Sequence, residues 1–178
     1  MVEEKIQKIR RDSDSYYLQL PSMGSVEDKL RAKLLREPTH EEIAAFNLAV
    51  VARFEDTDWQ VRKEALKTLG KLEPATLVEH AGRVGVQLED PHWAVRKAAL
   101  KTLRKLKPAT LAQHAAAVLA RLYDSKPLVR KTALETLGKL EPATLAHYAD
   151  DVIEMLDDYF WDWQVNKTAL ETLGKLEP

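Results

Sequence analysis

The stretch ATLVEHAGRVGVQLEDPHWAVRKAALKTLRKLKP, residues 75–108, decides the fold, because the chain repeats it directly afterwards. Residues 109–142 read ATLAQHAAAVLARLYDSKPLVRKTALETLGKLEP and are identical to it at 18 of 34 positions. A third copy, two residues longer, occupies 143–178, and a more divergent copy occupies 38–74. A fixed period of this length is typical of stacked arrays. The sequence therefore predicts four units of about 34 residues.

Each unit has the pattern of two amphipathic helices. In the first half, the pattern H-A-x-x-V-x-x-x-L over residues 80–88 places apolar side chains on one helical face. In the second half, Val61, Ala65 and Leu69 form one stripe, and Leu66 widens it. An apolar arc this wide must be covered on more than one side, so we expect the second helices to pack against the helices of neighbouring units.

Prolines, threonines, aspartates and glycines recur at fixed places and predict the helix boundaries. We expect the proline to close each unit, the threonine two residues later to cap the next first helix, and the aspartate to begin the second helix. If the second helix continues through Leu72, the glycine falls inside it, where its small size allows close helix approach. These residues are Pro74, Pro108, Pro142 and Pro178; Thr76, Thr110 and Thr144; Asp56, Asp90, Asp124 and Asp158; and Gly70, Gly138 and Gly174.

The second half of the unit resembles the HEAT repeat. Asp56 is followed five residues later by Val61 and Arg62, and then by Ala-Leu and Leu-x-x-Leu. The Val-Arg pair recurs as Val95 with Arg96 and as Val129 with Arg130, and the match covers residues 38–178. Tetratricopeptide repeats share the period, but their W-x-x-L-G-x-x-Y order is absent, because Trp59 stands ten residues before Leu69.

The resemblance implies an all-α, right-handed α–α superhelix, a HEAT-like solenoid of four helix pairs. In that family an aspartate and an arginine form a ladder between adjacent repeats, and the second helices line a concave surface that binds other proteins. Transferred to this sequence, the ladder consists of Asp56, Asp90, Asp124, Arg62, Arg96 and Arg130, with its direction left open. The last unit has Asn166 in place of the arginine, so we expect the ladder to end there.

Residues 1–37 lie outside the repeat and are expected to form an N-terminal arm and a capping helix. Ser25 to Asp28 fits a capping box before an amphipathic stretch, which can cover the first repeat. The first 17 residues have no apolar signal-peptide core, and the chain has no cysteine. We therefore expect an intracellular, cytoplasmic protein, although this composition leaves an organelle open.

The composition excludes several classes of function. The chain has 27 basic and 28 acidic residues and a formal charge of -1, which argues against a wholly basic nucleic-acid binder. The absence of cysteine excludes disulfides, a cysteine nucleophile and thiolate metal sites. The sequence contains no stretch of 18 apolar residues, so it predicts no membrane span.

The sequence predicts no catalytic residue, no metal ligand and no cofactor. The histidines are too scattered to propose a metal site: His40, His80, His92, His114 and His147. A HEAT-like metalloenzyme family that hydroxylates a modified lysine uses repeated His-Glu pairs, whereas this chain has one, His40 with Glu41. Other HEAT-like proteins act on DNA bases or attach bilin pigments. An enzyme with an unrecognised site therefore remains the second alternative.

Lysines at a spacing of four predict a partner-binding face on the second helices. The first two helices carry Lys63, Lys67, Lys71, Lys97, Lys101 and Lys105, and the next two carry Lys131, Glu135, Lys139, Lys167, Glu171 and Lys175. Stacked helices about 8–10 Å apart would arrange these side chains as a grid that is more basic towards the N-terminal half. We interpret the chain as a non-catalytic scaffold that binds a protein with an acidic surface.

Two other interpretations of the lysines, and one of the repeat itself, stay open. The lysines can keep an exposed face soluble, or they can bind phosphates in a nucleic-acid-binding solenoid, which is the first alternative function. The similarity of the units also fits a duplicated or consensus-built array whose specified property is its fold.

The last unit carries an aromatic insertion. Tyr159, Phe160 and Trp161 have no counterpart in the other units, and we interpret them as anchors for a partner, the alternative being that they fill a local defect. Trp163 aligns with Trp59, so we expect it to pack structurally. The last unit also keeps the interior apolar pattern, and we expect its edge to be covered by further repeats, a second copy or the partner, with self-association as one outcome.

The aromatic insertion makes a testable prediction. Replacing Phe160 and Trp161 by alanine should weaken partner binding by about 2 kcal/mol or more, because such side chains are frequent binding hot spots. The helical circular dichroism signal and the melting temperature should stay nearly unchanged. A large loss of stability with unchanged binding would show instead that the two residues fill the local core.

Overall fold

The structure is a computed structural model, and it describes residues 40–157 and 162–176. Within these residues every regular element is helical. The arm and capping helix expected in residues 1–37 lie outside the described residues, as do Asp158, the inserted aromatic residues 159–161 and Pro178.

Helices alternate along the described chain as first and second helices of each unit. The first helices are α1 (His40–Ala52), α3 (Pro74–Val86), the pair α5 (Pro108–Ala112) and α6 (Ala115–Leu119), and the pair α8 (Pro142–Ala146) and α9 (Ala149–Asp157). The second helices are α2 (Trp59–Leu69), α4 (Trp93–Leu103), α7 (Pro127–Leu137) and α10 (Trp163–Leu173). Single 3-10 turns cover Arg53–Glu55, Gln87–Glu89, Ala120–Tyr123 and Gly174–Leu176. The predicted all-α solenoid is confirmed.

Successive second helices make the most extensive helix contacts in the array. Leu66, Leu100 and Leu134 occupy the same place in three units, and each is fully buried. Burying a leucine side chain contributes roughly 1.5–3 kcal/mol. The same place in the last unit holds Leu170, which is 61% exposed. The wide apolar arc of the second helix is therefore covered where another second helix follows in the described array.

Threonine hydroxyls join the second helices across the units. The Oγ1 of Thr102 lies 3.1 Å from the carbonyl oxygen of Leu66 in the preceding second helix and 2.9 Å from that of Ala98 in its own helix. Its single proton can be donated to either carbonyl. Thr136 and Thr172 repeat the arrangement with the preceding second helix, at 3.4 Å in both cases. These buried hydroxyls fix how far one helix can slide along the next.

The expected helix starts are wrong at both kinds of boundary. The first helices α3, α5 and α8 begin with the proline itself in the first turn, and no side chain caps them, so Thr76, Thr110 and Thr144 are not caps. A proline has no N–H to satisfy, and its fixed φ already suits the first turn. Asp56, Asp90 and Asp124 are not N-caps either, because the N-caps of α2, α4 and α7 lie two residues later, at Asp58, His92 and Lys126.

The aspartates instead stabilise the turn that leads into each second helix. Asp90 Oδ1 accepts the backbone N–H of His92 at 2.8 Å, and Asp124 Oδ1 accepts that of Lys126 at 2.9 Å. Asp56 does the same with Asp58 at 3.0 Å. A carboxylate that bonds the N–H two residues on is a local turn signal. The recurring aspartate is therefore part of the connection and not of the helix.

The recurring glycine also differs from its expected place, because α2 ends at Leu69 and not at Leu72. Gly70 and Gly174 are the C-caps of α2 and α10 and keep right-handed backbone angles. The close approach at this position comes from a lysine of the next unit. Lys175 Nζ donates to the Gly138 carbonyl at 2.7 Å, and a Cβ on Gly138 would lie 2.7 Å from that Nζ.

First helices differ between the units, although the repeat predicts one helix in each. In the third unit, α5 and α6 are separated because Gln113 and His114 donate to carbonyls three residues back, at 3.2 and 2.9 Å. His147 and Tyr148 do the same between α8 and α9. Bonds of this kind tighten the turn and interrupt the α-helix.

Gly82 gives a direct test of this fold. It lies exposed inside α3, and an added Cβ would meet nothing within 4 Å. Gly82→Ala should raise the free energy of unfolding by about 0.5–1 kcal/mol, because alanine loses less backbone entropy in a helix. Urea denaturation measures this. The matched control is Gly138→Ala, where the new Cβ displaces the Lys175 ammonium, and no such gain is expected.

Candidate functional site

Two ion pairs connect successive units at the turns that lead into the second helices. Arg62 Nε donates to Asp90 Oδ2 at 2.6 Å and its Nη2 donates to Asp90 Oδ1 at 2.9 Å. Arg96 binds Asp124 in the same way, at 2.6 and 2.8 Å. Bidentate pairs of this geometry are among the strongest hydrogen bonds in proteins. The arginine of one unit thus binds the aspartate of the next, which gives the ladder its direction.

Each arginine of the ladder also stabilises the turn of its own unit. Arg62 Nη1 donates to the carbonyls of Asp56 and Thr57 at 2.8 and 3.1 Å. Arg96 Nη1 repeats this with Asp90 at 2.8 Å and with Pro91 at 3.0 Å. One guanidinium therefore connects two successive turns, each of which leads into a second helix.

The other ladder residues are placed differently. Asp56 has an exposed partner in its own unit, Arg53, at 3.3 Å. Arg130 is buried and donates to the carbonyl of Asp124 at 2.9 Å, which repeats the contact within the unit. The residue equivalent to its aspartate partner is Asp158, outside the described residues. Among the described residues the structure therefore brings two complete pairs together.

Burial and hydrogen bonding act in opposite directions on the ladder carboxyls. Burial raises the pKa of Asp90, but hydrogen bonds from Arg62 and from the His92 N–H outweigh it and leave the pKa below its usual value. Asp124 has the same balance, with Arg96 as its partner. The hydrogen bond to Asp124 raises the pKa of Arg96. Both partners therefore stay charged at neutral pH.

We use the term second-helix face for the predicted lysine positions on the second helices and on the turns that follow them, since the last lysine of each row lies beyond the helix end. This face consists of Lys63, Lys67, Lys71, Lys97, Lys101, Lys105, Lys131, Glu135, Lys139, Lys167, Glu171 and Lys175. Lys63 and Lys97 are half-buried beside the tryptophan one turn earlier, with their Nζ atoms 4.9 Å from the Trp59 ring centre and 5.9 Å from the Trp93 ring centre. Such contacts stabilise an ammonium group by roughly 0.5–1 kcal/mol at exposed sites.

One of the six predicted partner-binding lysines has a role within the array. Lys105 Nζ donates to the carbonyl oxygen of Gly70 at 2.5 Å, at the C-terminus of α2. A cation there offsets the negative end of the helix dipole and satisfies a free carbonyl. Lys67, Lys71 and Lys101 are exposed on the second-helix face.

Carboxylates compensate part of this face. Glu64 lies 3.5 Å from Lys63 and 2.7 Å from Lys67, and Glu171 lies 3.8 Å from Lys167. Arg104 of the second unit binds Glu135 of the third. Sequence reasoning missed this last pair, although Arg104 stands where three other units have glycine, and that break in the repeat is the signal that could have revealed it.

The tryptophans at the start of the second helices are not equivalent. The Trp59 ring stacks on His92 of the next unit, with 3.8 Å between ring centres and 15° between planes. Trp163 is 69% exposed, so the expectation that it packs structurally is wrong. The physical reason is that Trp59 is covered by a side chain of the following unit, and the described chain has no unit after α10.

The described residues contain neither a metal site nor a membrane span. In residues 40–157 and 162–176, no three histidine, aspartate or glutamate side chains are grouped as metal ligands require. No helix in the same part of the chain is both long and apolar enough to cross a bilayer.

Arg96→Ala tests the ladder. Arg96 and Asp124 side chains are 11% and 2% exposed, so the mutation leaves a buried carboxylate without its partner. The free energy of unfolding should fall by about 3–5 kcal/mol. Arg53→Ala is the control, because the Arg53 side chain is 66% exposed and its pair should contribute at most about 1 kcal/mol. An unchanged denaturation midpoint for Arg96→Ala would contradict the assigned role.

Comparison with known proteins agrees with this architecture. A family model for HEAT repeats matches residues 47–125, and a model described as a HEAT repeat associated with sister chromatid cohesion matches residues 116–137. None of the curated proteins compared gives a significant match. The crystal structure of an engineered protein is similar, with a TM-score of 0.59 and 17% identity, over 73% of this chain and 62% of that one.

The structural likeness supports the fold alone, because the identity is low and the chain spans about three fifths of the engineered protein. The family matches carry more weight, since together they cover residues 47–137, which include both complete ladder pairs. On these matches, and on the stacked helix pairs themselves, the chain belongs to the HEAT-like repeat family.

Proposed function

We propose that this chain is a non-catalytic scaffold whose second-helix face binds a protein with an acidic surface. HEAT repeats generally serve as protein-interaction scaffolds. The observation that carries the proposal is the separation of charge. A chain with a formal charge of -1 places ten lysines and two glutamates on the positions of this face. Charge gathered on one face steers and orients an oppositely charged partner.

The ladder supports a binding role because it keeps the face preorganised. The pairs Arg62–Asp90 and Arg96–Asp124 fix the turns from which the second helices start. Lysines on neighbouring helices therefore keep their relative positions before a partner arrives. A preorganised surface loses less entropy on binding than a flexible one, and this favours affinity.

A protein partner fits this face better than nucleic acid does. The overall charge is slightly negative, and Glu64, Glu135 and Glu171 interrupt the lysine rows on three different helices. A phosphate backbone crossing the helices would meet these carboxylates, whereas a protein surface can alternate its charges to match them. No contact of the described residues favours catalysis, so the enzyme alternative is not proposed.

The proposal also covers the repeat boundaries, the aromatic insertion and the cellular location. We take residues 38–74, 75–108, 109–142 and 143–178 as the four repeats and residues 1–37 as their N-terminal cap. Tyr159, Phe160 and Trp161 would give the partner an apolar anchor near the exposed Trp163. A reducing, cytoplasmic location agrees with the absence of cysteine.

Charge reversal on the second-helix face tests the proposal. The full chain is immobilised, and retained proteins from a nuclease-treated native extract are quantified by mass spectrometry. Lys67→Glu with Lys101→Glu should reduce retention of acidic proteins at least tenfold. Arg83→Glu with Lys107→Glu, which alters net charge equally through exposed residues of the first-helix side, should leave retention unchanged. Equal retention by all variants would contradict a protein-binding face. So would retention that is seen in an untreated extract and is lost in the nuclease-treated one.

A further inference from the structure

The charge of the second-helix face is not compensated evenly. Among the described residues, Lys63 and Lys67 share the carboxylate of Glu64, and Lys167 lies near Glu171. The lysines between them, on α4 and α7, have no carboxylate within 4.0 Å in the described part of the chain: Lys97, Lys101 and Lys131. Of the seven lysines of the face without such a carboxylate among the described residues, five belong to the second and third units: Lys97, Lys101, Lys105, Lys131 and Lys139.

The one acidic side chain on that part of the face is already bound. Glu135 is the position on α7 that corresponds to Lys101 on α4, and its Oε2 accepts a hydrogen bond from Arg104 Nη1. Both side chains of this pair are about one third exposed, at 32% and 33%. Arg104 thus neutralises the carboxylate that would otherwise compensate the lysines, and the central group keeps its positive charge.

Lys97 is the residue most affected by this crowding. It is half-buried on α4, beside the Trp93 ring. Burial lowers the pKa of its ammonium group, the charge of Lys101 lowers it further, Glu135 opposes the shift, and Lys131 adds to it. The folded protein therefore holds an ammonium group in surroundings that disfavour its charge. Such an arrangement destabilises the fold and is typical of a site that binds an opposite charge.

We propose that Lys97, Lys101 and Lys131 form a binding site for a short acidic segment of the protein partner. This inference rests on the proposed function and names the part of the face and the chemistry that it recognises. Lys97 and Lys101 lie one helical turn apart, about 5–6 Å between Cβ atoms, and α4 and α7 are neighbours at about 8–10 Å. Alternate side chains of an extended peptide are about 6.5–7 Å apart, which matches this spacing.

The site fits two or three carboxylates at alternate positions of an extended segment. Trp93 lies beside Lys97 and gives the segment an apolar contact next to its acidic residues. The limits of the positive charge set the length of the segment. Glu64 on α2 and Glu171 on α10 compensate the lysines on either side of the site, so a longer anionic chain crossing all four helices would gain less attraction at its ends.

Binding at this site has a defined pH dependence. A bound carboxylate favours the charged form of Lys97, so binding takes up protons and weakens as the pH rises through the lowered pKa of that group. The lowered pKa of Lys97 also determines how the folding stability depends on pH. Because the unfolded chain holds the Lys97 proton more tightly than the folded one, stability rises with pH between the lowered pKa of Lys97 and the ordinary lysine pKa. Removing this charge should not destabilise the protein at neutral pH.

The experiment compares Lys97→Met with Lys63→Met in the full chain. Lys63 occupies the equivalent position on α2 but lies 3.5 Å from Glu64, so it is the matched control. The probe is an N-acetylated hexapeptide of alternating glutamate and alanine, titrated calorimetrically at low salt. Lys97→Met should weaken its binding at least tenfold, with an unchanged or higher denaturation midpoint. Lys63→Met should change the affinity less than twofold.

Several results would overturn the site. These are no binding of the hexapeptide to the unchanged protein, equal losses for the two variants, or a lower denaturation midpoint for Lys97→Met. Tighter binding of a 12-nucleotide single strand than of the hexapeptide would replace the peptide with nucleic acid as the ligand. If extract proteins depend on Lys67 and Lys101 while Lys97→Met leaves hexapeptide binding intact, the scaffold function stands and this site does not.

Discussion

The bidentate pair between an arginine and the aspartate of the following unit is the interaction on which the array depends. Arg62 binds Asp90 with two charge-assisted hydrogen bonds, and the same guanidinium bonds the turn carbonyls of its own unit. Two connections are thereby held at a fixed distance, and each of them starts a second helix. Because the starting points are fixed, Leu66 and Leu100 are buried at equivalent depths in successive interfaces.

The fixed register of neighbouring units determines how the repeated side chains are arranged on the surface. Residues at the same place in successive units align on neighbouring helices, so single lysines become rows on the second-helix face. Where the repeat is exact, the lysine rows of successive units have the same charge. Where it is broken, as by Arg104 in place of glycine, charge compensation changes locally, since Arg104 binds Glu135. The departures from the repeat therefore give individual units a different charge from that of their neighbours.

Stability and recognition make opposite demands on the charged residues. The ladder carboxyls have lowered pKa values because hydrogen bonds outweigh burial, so their charge stabilises the fold. The ammonium group of Lys97 has a lowered pKa because burial and neighbouring lysines disfavour its charge, so it destabilises the fold. The structural ion pairs and the lysine of the proposed site thus differ in the sign of their contribution to stability.

The sequence by itself determined the period, the helix pairs and the HEAT-like class, because the apolar spacing is local and recurs in every unit, and the Asp, Val and Arg positions recur in the first three. It could also align Lys63 with Lys67, and Lys97 with Lys101, since a helix fixes that geometry, but it did not show that the last lysine of each row follows the helix end. Only the tertiary structure decided the direction of the ladder, the binding of Glu135 by Arg104, and the exposure of Trp163. Each of these depends on what the neighbouring unit brings from about 30 residues away, and no local pattern encodes that contact.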